Sequence, residues 1–369
     1  EDGEEEKKEL KRKNLELQEE INYAQSIIKS AFAKTPSFDI LIPALVNEST
    51  LMENRNIHMS IDNVEKRCSI RPGIPLQPML SRPAHNITNA IDILTNQHGK
   101  SGISSIENEE EENVEAESST ITTTTTTTTG STNNKKLQFA CEYKYDGERC
   151  QLHMFTKDTS DIINVDDDDN DAKFNVQLFS RNLENTTSRF PDIVSLIKNN
   201  VNTNEWMDNN NNNNNNNNMK MMTKSFIMDC EIVAYDVNTN EILPFQTLSK
   251  RQRKNVVEDN ISIQVLTIGF DLLYYNGESL LDKTYLERRN ILESNFTNID
   301  GKFMTSVSQH VCLEIGNNDD DTDDINEVIH TSNHDDNDDD ISIVQQYITD
   351  AVNNNCEGLM LKDLHSTYN

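Results

Sequence analysis

The residues best suited to chemistry lie in one short stretch, residues 141–150, which reads CEYKYDGERC. We predict that it opens a strand, continued through residues 151–155. Side chains alternate between the two faces of a strand. Glu142, Lys144 and Asp146 therefore share one face, whereas the residues between them are apolar or aromatic. This pattern is typical of a strand that forms one wall of a polar pocket.

Lys144 is the candidate nucleophile of this pocket. An amine is nucleophilic only when neutral, so its pKa must be lowered by burial or by nearby cations. Gly147 allows a tight turn, and Arg149 can then point back toward the same cavity. A lysine among carboxylates is more often a surface ion pair. The K-x-D-G spacing with a flanking Glu and Arg favours the nucleophile.

The stretch resembles motif I of the covalent nucleotidyltransferases, and its EYKYDGER wording is similar to that of ATP-dependent DNA ligases. The resemblance implies that Lys144 attacks the α-phosphate of ATP and forms a lysyl-AMP intermediate. It also implies that Glu142 accepts a hydrogen bond from the adenine amino group and that Arg149 belongs to the nucleotide-binding residues.

Two further stretches resemble later motifs of the same family. Residues 226–234 (FIMDCEIVA) put Asp229 and Glu231 on one face of a strand, with Cys230 facing the core, as in motif III. The resemblance implies that Glu231 binds the ribose or helps to hold a metal. Residues 268–277 resemble motif IIIa, where Phe270 is in the position that stacks on adenine, a ring that needs a flat apolar partner.

Residues 357–362 (EGLMLK) resemble motif IV. A carboxylate such as Glu357 near the phosphates suits Mg²⁺, which takes few protein ligands besides waters and phosphate oxygens. The metal would neutralise charge that develops on the α-phosphate. Lys362 joins the nucleotide-binding set. Arg181, within S-R-N-x-E, resembles the arginine that contacts the nucleotide or the 5′-phosphate of a nick.

The densest basic run comprises Lys250, Arg251, Arg253 and Lys254. It is either a solvated helix face or a contact surface for DNA phosphates, which would be independent of sequence and sensitive to salt. The preceding residues 244–248 (PFQTL) also match ligases, which favours DNA.

The remaining pattern predicts an α+β fold in which antiparallel sheets are flanked by helices. Apolar periodicity predicts helices and alternating segments predict strands. The predicted helices cover residues 7–33, 85–96, the second part of 278–295, and 341–355. The further predicted strands cover residues 176–180, 225–235, 260–275 and 357–362.

A proline-rich segment, residues 70–81 (IRPGIPLQPMLS), excludes helix and favours an extended connector. It resembles the PGIPLxPML segment that precedes the catalytic domain of eukaryotic replicative DNA ligases. The resemblance places a boundary near residue 69. Residues 1–68 would be the last helices of an all-helical DNA-binding domain. Residues 69–369 would be an adenylation (nucleotidyltransferase) domain that stops after motif IV.

Four low-complexity inserts interrupt this domain, near residues 99–135, 158–171, 202–222 and 316–340. Such compositions bury too little apolar surface to offset their ordering entropy, and a loop tolerates added length at small entropic cost. We interpret them as passive expansions rather than as acidic binding elements that contact histones or mimic DNA.

The formal charge of −30 is concentrated in tails and inserts. Residues 1–6, 107–117, 158–171 and 314–340 hold 31 acidic residues and no Lys or Arg. Removing those 31 charges from −30 leaves a remainder of +1, so composition neither supports nor excludes DNA. The six cysteines form no C-x-x-C pair, and neither a zinc cluster nor a disulfide framework is indicated.

The resemblance implies an ATP-dependent DNA ligase that uses ATP and Mg²⁺ to seal nicks in double-stranded DNA in replication and repair. It implies a nuclear monomer, a sliding clamp bound through a region outside this sequence, and no membrane partner. No apolar run is long enough for a signal peptide or a membrane span, so we expect an internal fragment of a soluble intracellular protein. The alternatives are an RNA ligase, an mRNA-capping guanylyltransferase, or a non-catalytic DNA-binding remnant.

Overall fold

The computed structural model describes residues 2–45, 64, 67–98, 135–156, 174–203, 223–254, 256–315, 329–330 and 339–368. The helices are α1 (Asp2–Lys34), α2 (Phe38–Leu45), α3 (Ile87–His98), α4 (Pro191–Thr203), α5 (Phe245–Ser249), α6 (Tyr285–Asn295) and α7 (Asp339–Asn353). The strands are β1 (Lys135–Lys144), β2 (Glu148–Thr156), β3 (Phe174–Ser180), β4 (Ser225–Asp236), β5 (Glu241–Leu243), β6 (Val265–Tyr275), β7 (Glu278–Ser279), β8 (Phe303–Thr305), β9 (Ser308–Ile315), β10 (Ile329–His330) and β11 (Gly358–Asp363).

The strands form two sheets. One has the order β10-β9-β1-β11, and the other has the order β3-β2-β4-β6-β7, with β5 added to β4 and β8 added to β6. The pairs are antiparallel apart from β6 with β8, which is parallel. The predicted α+β architecture of antiparallel sheets flanked by helices is therefore confirmed.

Most predicted elements are present with shifted ends. The predicted strand of residues 260–275 begins only at Val265, because residues 258–260 form a 3₁₀ turn. The sequence analysis did not assign α4 or β9, although α4 supplies much of the core. The proline-rich segment contains no helix or strand, as its three prolines favour.

The larger sheet covers the main core. Its buried side chains pack against α4 and α6, which approach the same face. Buried members of this core in these elements, or directly beside the helix ends, are Leu152, Leu178, Phe190, Ile197, Phe226, Leu292 and Phe296. Burying an aliphatic or aromatic side chain of this kind contributes about 1.5–3 kcal/mol relative to exposure. The smaller sheet is covered in the same way by α3 and α7.

The first strand shows how alternation positions the site. Leu137, Phe139 and Cys141 point from β1 into the core under α3 and α7. Glu142 and Lys144 consequently face the opposite side. The predicted division of faces is confirmed within β1, where Glu142 is only 2% exposed. The prediction of one continuous strand was wrong, because β1 ends at Lys144 and Asp146 lies in the turn before β2.

Helices α1 and α2 form a separate small core with Val64 and Cys68. The apolar stripe predicted along α1 is buried only near its C-terminal end, at Ala31, whereas Leu17 and Ile21 are exposed. The assignment of residues 1–68 to a separate domain stays a prediction.

Most of the four predicted inserts lies outside the described residues. The exceptions are the start of β1, the end of α4, the short strand β10 and the first residues of α7. Within the part of the chain that the structure describes, no helix combines the length and apolarity needed to cross a membrane.

Candidate active site

The two sheets meet at the predicted nucleophile. Lys144 ends β1 in the smaller sheet and Glu148 begins β2 in the larger one, so three residues carry the chain between them. Gly147 is required in this crossing because a Cβ there would lie 2.3 Å from the carbonyl oxygen of Ile232. The backbone of β4 thus presses directly on the turn that follows Lys144.

Lys144 is held beside Glu357. The Cα of Lys144 is paired with that of Gly358, and the Glu357 N–H donates to the Lys144 carbonyl at 2.8 Å. The Lys144 Nζ contacts the Glu357 carboxylate, and both side chains remain partly exposed. The structure therefore brings the predicted nucleophile and one predicted metal ligand into direct contact.

Glu142 is the acceptor of a buried network. The Tyr285 hydroxyl donates to its Oε1, Lys362 Nζ lies 2.7 Å from its Oε2, and Arg289 Nη1 lies 3.4 Å from Oε1. Burial and the nearby carboxylate raise the pKa of Tyr285. These three donors satisfy a carboxylate that would otherwise be costly to bury.

The predicted hydrogen bond from an adenine amino group to Glu142 stays a prediction. In this structure the oxygens of Glu142 accept from protein groups, and Glu142 fixes Lys362 and Tyr285.

The Phe270 ring is flanked by two cations. The guanidinium carbon of Arg149 lies 5.4 Å from the ring centroid, and Lys362 Nζ lies 4.9 Å from it. Lys362 also lies 4.9 Å from the Tyr285 centroid and donates to the Phe270 carbonyl at 3.3 Å. Two predicted nucleotide-binding cations thus converge on the predicted stacking ring. An aromatic face near cations suits a flat, anionic ligand.

Arg149 is anchored by Asp229, the acid two residues before Glu231 on β4. Its Nη2 donates to Asp229 Oδ2 at 2.9 Å, and its Nη1 donates to the Met79 carbonyl at 2.7 Å. Burial opposes the charged form, but Asp229 more than compensates, so the pKa of Arg149 is raised. The arginine stays charged beside Phe270.

Glu231 lies next to this group on the same face of β4, and Cys230 faces the core as predicted. Burial raises the pKa of Glu231 to about 8, with Arg149 and Lys144 acting in the opposite direction and Asp229 and Asp146 adding to the rise. A carboxyl that is costly to ionise among other acids is suited to a divalent cation.

The carboxylates at the site could supply only part of the coordination shell of Mg²⁺. Among the described residues no three His, Cys, Asp or Glu side chains are grouped to hold a metal. Glu231 and Glu357 are two hard oxygen ligands, and Mg²⁺ characteristically uses one or two carboxylates together with water and phosphate oxygens. The residues present are compatible with a metal that arrives with a nucleotide.

Arg181 follows the end of β3 and is exposed. Ser180 is paired with Cys150, so Arg181 emerges at the same end of the sheet as Arg149. Glu148, the residue before Arg149, is fixed by a bidentate pair with Arg189 at 2.6 and 2.8 Å. Arg181 has the exposure that its predicted contact with a nucleotide or a 5′-phosphate requires.

The four residues of the basic run differ in their exposure to solvent. Lys250, Arg253 and Lys254 are exposed, but Arg251 is buried. Its guanidinium donates to Asp192 Oδ1 at 2.5 Å and to the Ile263 carbonyl at 3.1 Å. The burial of Arg251 does not favour its predicted contact with DNA, because a phosphate contact needs an accessible guanidinium, and that contact stays a prediction.

Several residues at the site were not selected from the sequence. Tyr285 and Arg289, on α6, bind Glu142, and their neighbour Arg288 forms a bidentate pair with Asp271 at 2.8 and 2.9 Å. Tyr368 donates to Asp229 at 2.6 Å. One sequence signal could have revealed this network. Two adjacent arginines follow an aromatic residue on a predicted helix, and buried arginines require acidic partners.

Comparisons with known proteins show which family the chain resembles. A family model described as the ATP dependent DNA ligase domain matches residues 120–369. DNA ligase 1 of Drosophila melanogaster is 30% identical over 348 residues, which cover 94% of this chain and 31% of that protein. DNA ligase 1 of Dictyostelium discoideum is 29% identical over 352 residues, which cover 95% and 20%. The chain thus spans less than a third of the length of these relatives.

A solved structure, a mycobacterial DNA ligase D complexed with ATP and MES, is 18% identical and covers 63% of this chain and 50% of that chain. Its TM-score of 0.37 is too low to support a structural argument.

Proposed function

The chain belongs to the ATP-dependent DNA ligase domain family, and we propose that the protein seals nicks in duplex DNA through a lysyl-AMP intermediate formed on Lys144. One observation carries this proposal. Lys144 lies at the junction of the two sheets, in contact with Glu357 and within the charge environment of Glu231. A nucleophilic amine and two candidate ligands for a phosphate-bound metal are thus together.

The first step requires a neutral Lys144. Its amine forms a bond to the α-phosphorus of ATP while the bond from that phosphorus to the bridging oxygen breaks, so that pyrophosphate leaves and one amine proton is released. AMP then passes to the 5′-phosphate at a nick as the N–P bond breaks. The 3′-hydroxyl displaces AMP and closes the phosphodiester.

The surrounding residues bind and orient the nucleotide. Phe270 supplies a face for adenine, and Arg149 and Lys362 supply positive charge close to the ring. Arg181 is exposed at the same end of the sheet to receive a phosphate. Glu231 and Glu357 would hold Mg²⁺, which when bound supplies neutralisation of charge on the α-phosphate.

The domain boundary near residue 69 belongs to the same proposal. The family match begins at residue 120, but Ile70 and Leu76 already pack with Ile227 and Leu273 of the larger sheet. By contrast, α1 and α2 share a core of their own with Cys68. This division supports residues 1–68 as part of a DNA-binding domain and residues 69–369 as the adenylation domain.

The proposed partner is nicked double-stranded DNA, contacted by the exposed Lys250, Arg253 and Lys254. Roles in replication and repair, a nuclear location, a monomeric state and a sliding clamp bound outside this sequence are also proposed. These rest on family membership alone.

Self-adenylation tests the proposal directly. The chain is incubated with α-labelled ATP and Mg²⁺ and resolved on a denaturing gel. We expect label on the wild type and none on Lys144→Ala or on Lys144→Arg, whose guanidinium keeps its charge at the Glu357 contact but is never neutral. Lys283→Ala is the matched control, since it removes another ion-paired lysine, 3.0 Å from Glu278, and should label normally.

The outcomes separate the rival functions. Label from GTP rather than ATP would indicate a capping guanylyltransferase, and ligation of nicked RNA but not nicked DNA by the labelled protein would indicate an RNA ligase. Absence of label from this chain and from the complete gene product, with binding to nicked DNA unaffected by Lys144→Ala, would indicate a non-catalytic DNA-binding protein.

A further inference from the structure

The proline-rich segment lies across the larger sheet, held by side chains from one face of β2. Arg149, Gln151 and His153 occupy alternate positions and therefore point the same way. The bonds join Arg149 Nη1 to the Met79 carbonyl at 2.7 Å, Gln151 to both the N–H and the carbonyl of Leu76 at 3.1 and 2.7 Å, and His153 Nδ1 to the Gly73 N–H at 3.0 Å. As β2 advances, its partners move back along the segment, so the two run antiparallel.

The bonds farthest from Met79 are made by buried side chains. His153 is fully buried, and burial lowers its pKa to about 3, so its Nδ1 remains an acceptor for Gly73. Gln151 is also buried and uses its amide oxygen and nitrogen on the same residue, Leu76. The segment is thus fixed before it reaches Met79.

At Met79 the segment closes a cycle of hydrogen bonds. The Met79 N–H donates to the Tyr368 hydroxyl at 3.0 Å, and that hydroxyl donates to Asp229 Oδ2 at 2.6 Å. The same oxygen accepts from Arg149 Nη2 at 2.9 Å, and Arg149 Nη1 donates back to the Met79 carbonyl. Four residues from distant parts of the chain share one closed network.

The network leaves Arg149 little freedom. Both of its terminal nitrogens are committed to it, and Asp229 is fully buried with a second oxygen, Oδ1, that finds no hydrogen-bond partner among the described residues. Tyr368 is therefore one of two groups, with Arg149, that satisfy this carboxylate. The guanidinium so held is the one that faces Phe270.

We propose that Tyr368 is a positioning residue for nucleotide binding, acting with Met79 of the proline-rich segment to hold Arg149 against the face of Phe270. The inference rests on the proposed function and deepens it, because it makes the docked segment part of the ATP site. The Tyr368 hydroxyl fixes where the guanidinium stands, both through Asp229 and by accepting directly from Arg149 Nη2 at 3.4 Å.

The variant Tyr368→Phe keeps the ring, which packs with Ile70 and Leu76, and removes only the hydroxyl. We expect the KM for ATP in self-adenylation to rise about tenfold, the scale of one lost hydrogen bond to a charged group. The rate at saturating ATP should change less than about twofold, since Lys144 is untouched. Hydrogen exchange at the Met79 amide should become faster.

Two further variants separate positioning from general loss of stability. Tyr275→Phe removes a hydroxyl that bonds Thr223 and Asn295 at 3.0 Å each, away from Arg149, and should leave the KM for ATP unchanged. Gln151→Leu frees the segment at Leu76 without touching Arg149. It should raise the KM in the same direction as Tyr368→Phe.

The results separate a failure of the proposed function from a failure of the positioning role of Tyr368. If neither this chain nor the complete gene product takes label from ATP, the proposed function and this inference fail together. If the wild type labels but Tyr368→Phe keeps its KM, or Tyr275→Phe raises the KM as much, only the positioning role is overturned. A rise confined to Tyr368→Phe and Gln151→Leu, together with faster Met79 exchange, establishes it.

Discussion

The Lys144 ammonium contacts the carboxylate of Glu357, whose own backbone N–H donates to the Lys144 carbonyl at 2.8 Å. Strand pairing between β1 and β11 fixes the two main chains, and the side chains meet as a consequence. An amine held in contact with this carboxylate is not free to approach the α-phosphorus of a nucleotide. The pair must separate before Lys144 can react, and a phosphate-bound cation that attracts Glu357 provides the reason for it to do so.

Glu357→Gln should lower the rate of self-adenylation. Removing one preorganised charge from a site where charge develops costs about 10²–10³-fold in rate, and the apparent Mg²⁺ requirement should rise because a ligand oxygen loses its charge. The measurement is the labelling rate against Mg²⁺ concentration. Glu278→Gln, which also removes a carboxylate from a lysine ion pair, is the control. Faster labelling in Glu357→Gln would instead show that Glu357 only restrains Lys144.

Glu231 should make the protein less stable as the pH rises. Burial raises its pKa from 4.5 to about 8, so between these values the folded state holds a proton that the unfolded state has lost. The free energy of unfolding therefore falls with increasing pH across that window, by at most about 1.4 kcal/mol per pH unit from this group.

The test compares urea unfolding of the wild type and of Glu231→Gln at several pH values from 5 to 8 without metal. Glutamine cannot lose the proton, so the variant should gain stability relative to the wild type as the pH increases. Mg²⁺ with ATP should reduce the difference in the wild type by favouring the ionised carboxylate. Parallel curves for the two proteins would show that Glu231 is not the titrating group.

Gly147→Ala should disturb the turn after the nucleophile. The added Cβ would lie 2.3 Å from the Ile232 carbonyl oxygen, and neither main chain can yield easily. We expect a loss of about 1–3 kcal/mol in the free energy of unfolding, the usual cost of overpacking, together with loss of Lys144 labelling.

The control for Gly147→Ala is Gly269→Ala. Its Cβ would meet Met228 Sδ at 2.7 Å, but this atom belongs to a flexible side chain that can move. The control should cost less stability and retain labelling. Normal labelling in Gly147→Ala would mean that the turn tolerates displacement without moving Lys144.

Local patterns predicted the strands at the site well, because alternation follows from backbone geometry alone. Asp229 and Glu231 share a face of β4 with Cys230 opposite, as their spacing predicts. What the sequence could not provide was the pairing of β1 with β11, which joins Lys144 to Gly358 across more than half of the chain. Such long-range register depends on the whole sheet.

The burial and the partners of charged residues were harder to predict from the sequence than the strands were. Glu142 and Arg251 were both predicted to contact a ligand, and the sequence did not show that each is buried and bonded to protein partners. Their partners, Arg289 and Asp192, are far away in the sequence, so no local spacing reveals them. Tyr368 was missed for the same reason, because its role depends on Asp229 and Met79 arriving from other elements.

The basic run should separate into two classes of effect on DNA binding and stability. Lys250→Ala, Arg253→Ala and Lys254→Ala change exposed side chains. Each should weaken binding to nicked duplex DNA without altering stability. If each contacts one phosphate, each should also reduce the slope of log K against log salt concentration by about 0.9.

Arg251→Ala should lower the stability of the protein without changing the salt dependence of DNA binding. It leaves Asp192 without the guanidinium that lies 2.5 Å away, and it removes the cation 5.2 Å from the centroid of the Phe190 ring in the main core. We expect about 1–3 kcal/mol lower free energy of unfolding, the cost of an unsatisfied, largely buried partner, with an unchanged salt slope in the fraction that remains folded. A reduced slope in Arg251→Ala would show that its guanidinium does reach a phosphate. Unchanged slopes in all three exposed variants would remove this surface from the DNA interface, because phosphate contacts must release counterions.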